Sequence, residues 1–237
     1  MRYLLIALAL MCATATTAFA RVDVSIGINL PVYPRLVPVP GYPVYYAPGL
    51  QSNYFFYDGL YWVYENDDWY ASSWYNGPWR LVDRFDVPVF ILRVPVRYYR
   101  HPPVYFRGWR ADHAPRWGDH WGRDWEHRRS GWNQWNRGTT PRAAPLPTYQ
   151  RQYAGDRYPR AEQQAPLHNQ GYRYQPREAV VQQHYQQQRA QRGEPQQAQQ
   201  QQRSQPQERS QPQQQQQGRD ENRGRDRGGD RPRGQER

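Results

Sequence analysis

The sequence predicts a mainly β fold: a small antiparallel, aromatic-rich meander with Pro-rich extended segments, a short helix near residues 119–130 and a long disordered C-terminal tail. Three observations carry this expectation. All ten tryptophans lie between Trp62 and Trp135. Turn-forming residues recur between short aromatic runs, at Asp58-Gly59, Asn66-Asp67-Asp68 and Asn76-Gly77-Pro78. Beyond Gly138 there is neither Trp nor Phe, and 27 of residues 141–237 are Gln. The chain therefore divides into a leader at 1–20, an N-terminal strand with a Pro-rich strap at 21–53, and an aromatic β-rich domain at 54–110. A Trp/His/Arg segment at 111–137 and a Gln/Arg/Pro-rich tail at 138–237 complete it.

The leader reads as a signal peptide. Arg2 supplies a positive start, Leu4 to Met11 an apolar run, and Ala18-Phe19-Ala20 a small-residue cleavage site ahead of Arg21. The expected location is the periplasm or cell envelope of a Gram-negative bacterium. The apolar run is far shorter than the roughly 20 residues a spanning helix needs, so no transmembrane span is expected in the mature chain. Met11 before Cys12 does not fit a lipid-attachment site, which wants a small residue there. With Cys12 removed, no cysteine remains to staple the fold or to act as a nucleophile.

Val22, Val24, Ile26, Ile28 and Leu30 alternate with polar or small residues, the period of a half-buried strand. From Pro31 to Pro48 the prolines remove ladder donors and favour extended backbone, predicting a strap or edge against the protein's own core. Tyr54 to Val82 is the meander itself, with Asp58-Gly59 suited to a type I′ hairpin. Bulky and branched side chains pack well on a pleated sheet. Leu60 to Tyr64 is apolar on both faces, which predicts a strand covered on two sides or paired with other aromatic surface. Val87 to Tyr99 and Val104 to Phe106 predict a second extended group, cut into short pieces by Pro88, Pro95, Pro102 and Pro103.

The runs SSWYNGPWRLV, VPVFILRVPVRYYR and RGWRADHAPRWGDHWG resemble a family of exported proteobacterial proteins that share this Tyr/Trp-rich block and end in Gln/Arg-rich tails. The resemblance covers most of the chain from about Asn53 onward, and it implies no activity and no functional residues. The rhythm of YDGLYW and WYASSW is similar to aromatic repeats of cell-wall binding modules, without their regular repeat.

Exposed Trp and Tyr faces bind sugars by stacking and quaternary cations by cation–π attraction. A small fold without cysteine also needs such rings for its core, because each buries about 150–250 Å². Most are therefore assigned to the core, with Trp69, Trp74 and Trp79 the candidates for exposure because they flank turns.

His113, His120 and His127 recur at seven-residue intervals among Asp112, Asp119, Asp124 and Glu126. Imidazole and carboxylate suit zinc or copper, but Pro115, Gly118 and Gly122 interrupt a shared helix face and the spacing matches no zinc motif. No metal site is assigned. In the same segment Trp117, Trp121 and Trp125 fall four apart, followed by Arg128, Arg129, Trp132 and Trp135. A helix capped by Asp119 would display a Trp stripe beside arginines, suited to contact with the envelope, where rings sit at headgroup level and guanidinium groups meet phosphate. The competing account, given the greater weight, packs that stripe back on the sheet.

Net charge is +11 and all 32 cationic residues are arginine. Residues 21–140 carry 14 Arg against 11 acids, and 141–237 carry 17 against 10. Arginine binds phosphate and carboxylate in a bidentate manner. The expected partners are anionic envelope lipid or polysaccharide, with protein partners through the tail. The closing GRDENRGRDRGGDRPRG resembles arginine-glycine nucleic-acid tails, but export makes nucleic acid an unexpected partner. Such a composition cannot bury enough apolar surface to offset backbone entropy, so the tail is expected to be disordered. Within it, Arg177 to Arg192 permits a marginal helix with Val181 and Tyr185 four apart, which needs a partner to persist.

No phosphate-cradling loop, nucleophile elbow, zinc-protease motif or triad is present, so no catalytic residue and no cofactor is assigned. The expected function is a noncatalytic exported envelope protein, an interaction or structural module. The alternatives are a carbohydrate-binding module using Trp and Tyr, and an enzyme whose site follows no known motif.

Overall fold

A computed structural model describes residues 26–187. These lie within one unit, Met1–Pro195, and the second unit, Gln196–Arg237, falls outside the described residues, as do the leader and the start of the first expected strand. Six strands form one antiparallel sheet: β1 (Val37–Pro38), β2 (Tyr45–Tyr46), β3 (Asn53–Tyr57), β4 (Leu60–Glu65), β5 (Asp68–Ser72) and β6 (Arg80–Val82). Their order in space is their order in the chain, so the sheet is a meander.

Turn chemistry sets its register. Asp58 (φ 52°) and Gly59 (φ 95°) join β3 to β4, and Asn66 (φ 50°) and Asp67 (φ 71°) join β4 to β5. Two left-handed residues in succession match the twist of the flanking strands, and Asn, Asp and Gly are the residues that tolerate them. The reversal at Asn76-Gly77-Pro78 connects β5 to β6.

Alternation along β3, β4 and β5 sends side chains to two apolar layers. Phe55, Tyr57, Leu60, Trp62, Tyr64 and Trp69 pack on one face with Val87, Ile91, Leu92, Trp117, Trp125 and Val181. Tyr54, Phe56, Tyr61, Val63 and Tyr70 pack on the other with Leu30, Ala47, Tyr75, Trp79 and Ala144. Each large side chain so buried stabilises the fold by about 1.5–3 kcal/mol. The sheet centre is thus covered on both sides, as the two-sided apolar pattern of Leu60 to Tyr64 predicts.

Several expected elements differ. Residues 26–30 form no strand, although Ile26, Ile28 and Leu30 still turn inward while Gly27 and Asn29 face solvent. Leu30 N–H bonds the Asn76 side chain at 2.7 Å instead of a ladder partner. The Pro-rich strap does provide an edge, since β1 is the first strand of the sheet, but β2 lies inside it. Segments 21–53 and 54–110 therefore share one sheet.

The second extended group is helical. Val89–Leu92 forms α1, and Val96–Tyr98 and Val104–Phe106 form 3₁₀ turns. Each follows a proline whose carbonyl accepts the first bond of the turn, from Ile91 to Pro88, Tyr98 to Pro95 and Phe106 to Pro103. A proline immediately before a helical turn starts it at little cost, because the turn's leading N–H groups have no intrahelical partner in any case.

The expected helix at 119–130 is two short pieces, α2 (Trp117–Trp121) and α3 (Arg123–Arg128). Gly122 separates them at φ 87°. Asp119 caps neither helix; it sits inside α2, paired with Arg116.

The larger correction concerns the tail. Residues 138–187 carry 3₁₀ turns, α4 (Ala161–Gly171) and a helix α5 over residues 179–187, and they pack on the sheet. Gln150, Gln164, His168 and Val181 are all buried. Residues 188–237 lie outside the described residues. The composition argument holds for a tail that must build its own core, whereas this segment adds its tyrosines to an aromatic face already present. Trp74 shows it, with the rings of Tyr149, Tyr153 and Tyr158 at 5.8, 5.4 and 5.8 Å.

Candidate functional site

The Trp stripe that was the candidate for envelope contact turns inward, as the more heavily weighted account, packing on the sheet, has it. Trp117 and Trp125 are wholly buried and Trp132 nearly so. Trp117 lies at 5.2 Å from Tyr64 and donates its indole N–H to the Leu92 carbonyl at 2.9 Å. Trp125 donates to Arg84 O at 3.1 Å and meets Trp132 at 5.6 Å. Trp121 is half-buried, stacked on Trp117 at 4.4 Å. Arg129 is spent on the carbonyls of Phe85 and Val87. Arg128 is exposed, its guanidinium 4.8 Å from the Phe85 ring centre. The set is thus largely core, because Gly122 redirects the chain and lets both helix pieces lay their tryptophans on the sheet. Trp69, Trp74 and Trp79 are buried too, contrary to the expectation from their place beside turns. Trp69 faces the layer that holds Trp117, and later segments cover the turn beside Trp74 and Trp79, where the Tyr158 hydroxyl bonds Gly77 O at 2.6 Å.

What the fold leaves open is a groove of about 750 Å³ on the face that carries α1 and α2. Four stretches distant in sequence meet there: the β1–β2 loop with Tyr42, the residues after α1 with Arg93 and Arg97, the loop from Trp109 to Arg116, and the run from Trp132 to Arg137. Backbone bonds from Val96 to His113 O at 2.9 Å and from Arg97 to Ala111 O at 3.0 Å tie two of these together. Buried Arg93 holds the fourth stretch, donating to the carbonyls of Trp132 and, at 2.9 Å, Gln134. Its guanidinium also lies 5.3 Å from the half-buried Trp135 ring.

The arginines of the groove differ in their pairing. Arg110 pairs with Asp112 at 3.3 Å and Arg116 with Asp119, and Glu126 adds a third acid to the lining. Arg93, Arg97 and Arg137 line the same groove with Tyr42, and among the described residues no carboxylate is within ion-pair distance of any of the three. Burial pushes the Tyr42 hydroxyl pKa up while Arg137, Arg97 and Arg93 pull against it, so all three positive charges reach the same hydroxyl. Burial also lowers the Arg93 pKa, the mark of a desolvated cation. Guanidinium forks in such a setting bind carboxylate, phosphate or sulfate in a bidentate manner, and the neighbouring rings offer a flat apolar wall.

The histidines scatter. His113 bonds Asp112 at 2.9 Å, His120 bonds Asp67 at 2.6 Å, and His127 is exposed on α3. Among the described residues no three metal-ligating side chains converge. Around Asp67 a tight cluster forms instead: one carboxylate oxygen accepts from Tyr64 at 2.6 Å, Tyr105 at 2.8 Å and His120. The His120 ring stacks on Tyr105 at 3.9 Å. Desolvation raises the Asp67 pKa, but the bonds from Tyr64, Tyr105 and His120 outweigh it and hold the carboxyl below its usual range. An acid so saturated with donors is a poor general base. It fastens the β4–β5 turn to α2.

Sequence reasoning singled out Trp132 and Trp135 but missed Tyr42, Arg93, Arg97, Trp109 and Arg137. No spacing signal marks them, because the groove draws on residues from 40 to 137. No protein-family model matches the chain, and neither does any curated protein or solved structure compared with it.

Proposed function

We propose that this protein is a noncatalytic exported envelope module whose arginine groove holds an acidic group of an envelope component. The observation that carries the reading is the convergence of Arg93, Arg97 and Arg137 on Tyr42, with no carboxylate within ion-pair distance of any of the three among the described residues. Buried Arg93 is a desolvated cation with no ion-pair partner among the described residues, so an anionic ligand supplies the counter-charge it lacks, and exposed Arg97 and Arg137 add attraction beside it.

The test is binding of the full chain to polygalacturonate and to phosphatidylglycerol vesicles at low salt, with Arg97→Gln/Arg137→Gln as the comparison. Both side chains are exposed, so the substitution leaves the fold intact. The reading expects the double variant to lose at least ten-fold in affinity for one of these anions. Full retention of both would assign anion binding to the basic tail and reject the groove.

A carbohydrate-binding module is the second reading. It is favoured by the half-buried Trp109, Trp135 and Tyr42 in the groove wall, and no longer by Trp69, Trp74 and Trp79, which the core consumes.

A further inference from the structure

We infer that the occupant of the groove is an acidic glycan: an oxyanion carried on a sugar ring sits among Arg93, Arg97 and Arg137 at Tyr42, while the ring packs against Trp109 and Trp135. This rests on the reading of the groove as an anion site, and it names the class of ligand.

Three observations select a glycan. First, the site combines guanidinium groups with ring faces in one concavity of about 750 Å³, within the roughly 300–1,000 Å³ of ordinary ligand pockets and able to enclose a short saccharide. Second, a bilayer-contacting face presents apolar side chains outward. Here the exposed large hydrophobic residues among the described ones are Val32, Leu81 and Val104, with no tryptophan, and none of the three lines the groove. Rings sunk in a concavity do not reach headgroup level. Third, the rest of this chain is a poor occupant, because residues 188–237 carry 11 Arg against 7 acids and would be repelled by the same charges.

The pairing of the groove's arginines places the acid. Arg110 and Arg116 are already paired with Asp112 and Asp119, so an incoming oxyanion there would displace a carboxylate. Arg93, Arg97 and Arg137 have no carboxylate within ion-pair distance among the described residues. A linear acidic glycan would therefore be anchored by Arg93, Arg97 and Arg137.

Isothermal titration of the full chain with a galacturonate oligomer, its methyl ester, inorganic phosphate and phosphatidylglycerol vesicles tests this. The expected result is saturable binding of the oligomer, at least ten-fold weaker for the uncharged ester and for inorganic phosphate. Binding should fall at least ten-fold in Arg97→Gln/Arg137→Gln and less than two-fold in Arg110→Gln/Arg116→Gln. If vesicles or phosphate bind through Arg97 and Arg137 as well as the oligomer does, the sugar ring plays no part; the glycan inference is then overturned while the anion groove stands. If no anion depends on Arg97 and Arg137, both fail.

Discussion

The carboxylate of Asp58 accepts the backbone N–H of Glu178 at 2.7 Å, closing a contact across 120 residues of chain. Asp58 sits in the β3–β4 turn and its side chain is wholly buried. It also accepts Arg177 N–H at 2.9 Å and the Tyr174 hydroxyl at 2.7 Å. In return, Glu178 accepts the Tyr57 hydroxyl at 2.7 Å. The turn thus serves as an anion that satisfies free N–H groups ahead of α5, and Glu178, the residue before the helix, supplies an acceptor to the strand.

Asp58→Asn keeps the shape but removes the charge and points amide hydrogens at existing donors. A loss of about 2 kcal/mol is expected, the scale of a hydrogen bond to a charged group. Urea unfolding monitored by tryptophan fluorescence measures it, and hydrogen exchange across 172–187 should rise in the same variant.

Chains ending at 187 and at 137 should separate sharply. The longer one keeps the layer formed by Ala144, Gln150 and Tyr158. The shorter one uncovers the face bearing Tyr54, Phe56 and Tyr61 and is expected to lose cooperative thermal unfolding. Equal melting temperatures for both would show that the 138–187 layer contributes nothing.

Gln150 uses its whole side chain. Its oxygen accepts from Tyr61 at 3.0 Å and Tyr75 N–H at 3.2 Å, and its nitrogen donates to Ser73 O at 2.8 Å and the Tyr149 hydroxyl at 3.0 Å. Gln150→Leu leaves several buried polar groups without partners and should cost on the order of 3 kcal/mol. Denaturant unfolding would show this as a lower midpoint with an unchanged slope.

Acid should weaken the same layer through His168. Burial pulls its pKa down from 6.5 to about 4. Its Nδ1 lies 2.8 Å from the Tyr149 hydroxyl, which also accepts from Gln150. Between these two pKa values the unfolded chain holds the extra proton, so stability rises with pH there: it is fully present above about 6.5 and is lost as pH falls toward 4. The loss amounts to roughly 3 kcal/mol. His168→Gln, which does not titrate, should flatten the dependence over that window in pH-dependent unfolding.

The elements that could be read from the sequence are those whose cause is local. Asp58-Gly59 and Asn66-Asp67 form their turns because the left-handed conformation is a property of those residues. The helix near Val181 and Tyr185 is visible as a pattern in need of a partner, and the β3–β4 turn provides that partner through Gly59 O, which accepts the Tyr185 hydroxyl at 2.7 Å. Pro88, Pro95 and Pro103 misled, because a proline interrupts a strand and begins a helical turn equally well, and only the neighbouring layer decides between them.

By itself, the sequence determined that this protein builds an aromatic meander with two apolar faces: alternation and turn residues act over a few positions. Which segments cover those faces was decided by the tertiary structure alone. A tryptophan at a helical interval can turn inward or outward at the same local cost, and Gly122 with the waiting sheet turned Trp117 and Trp125 in. A glutamine-rich segment folds where its hydrogen bonds and tyrosines meet a surface already made. The arginine groove exists for the same reason, since residues from Tyr42 to Arg137 become neighbours only after both faces are filled.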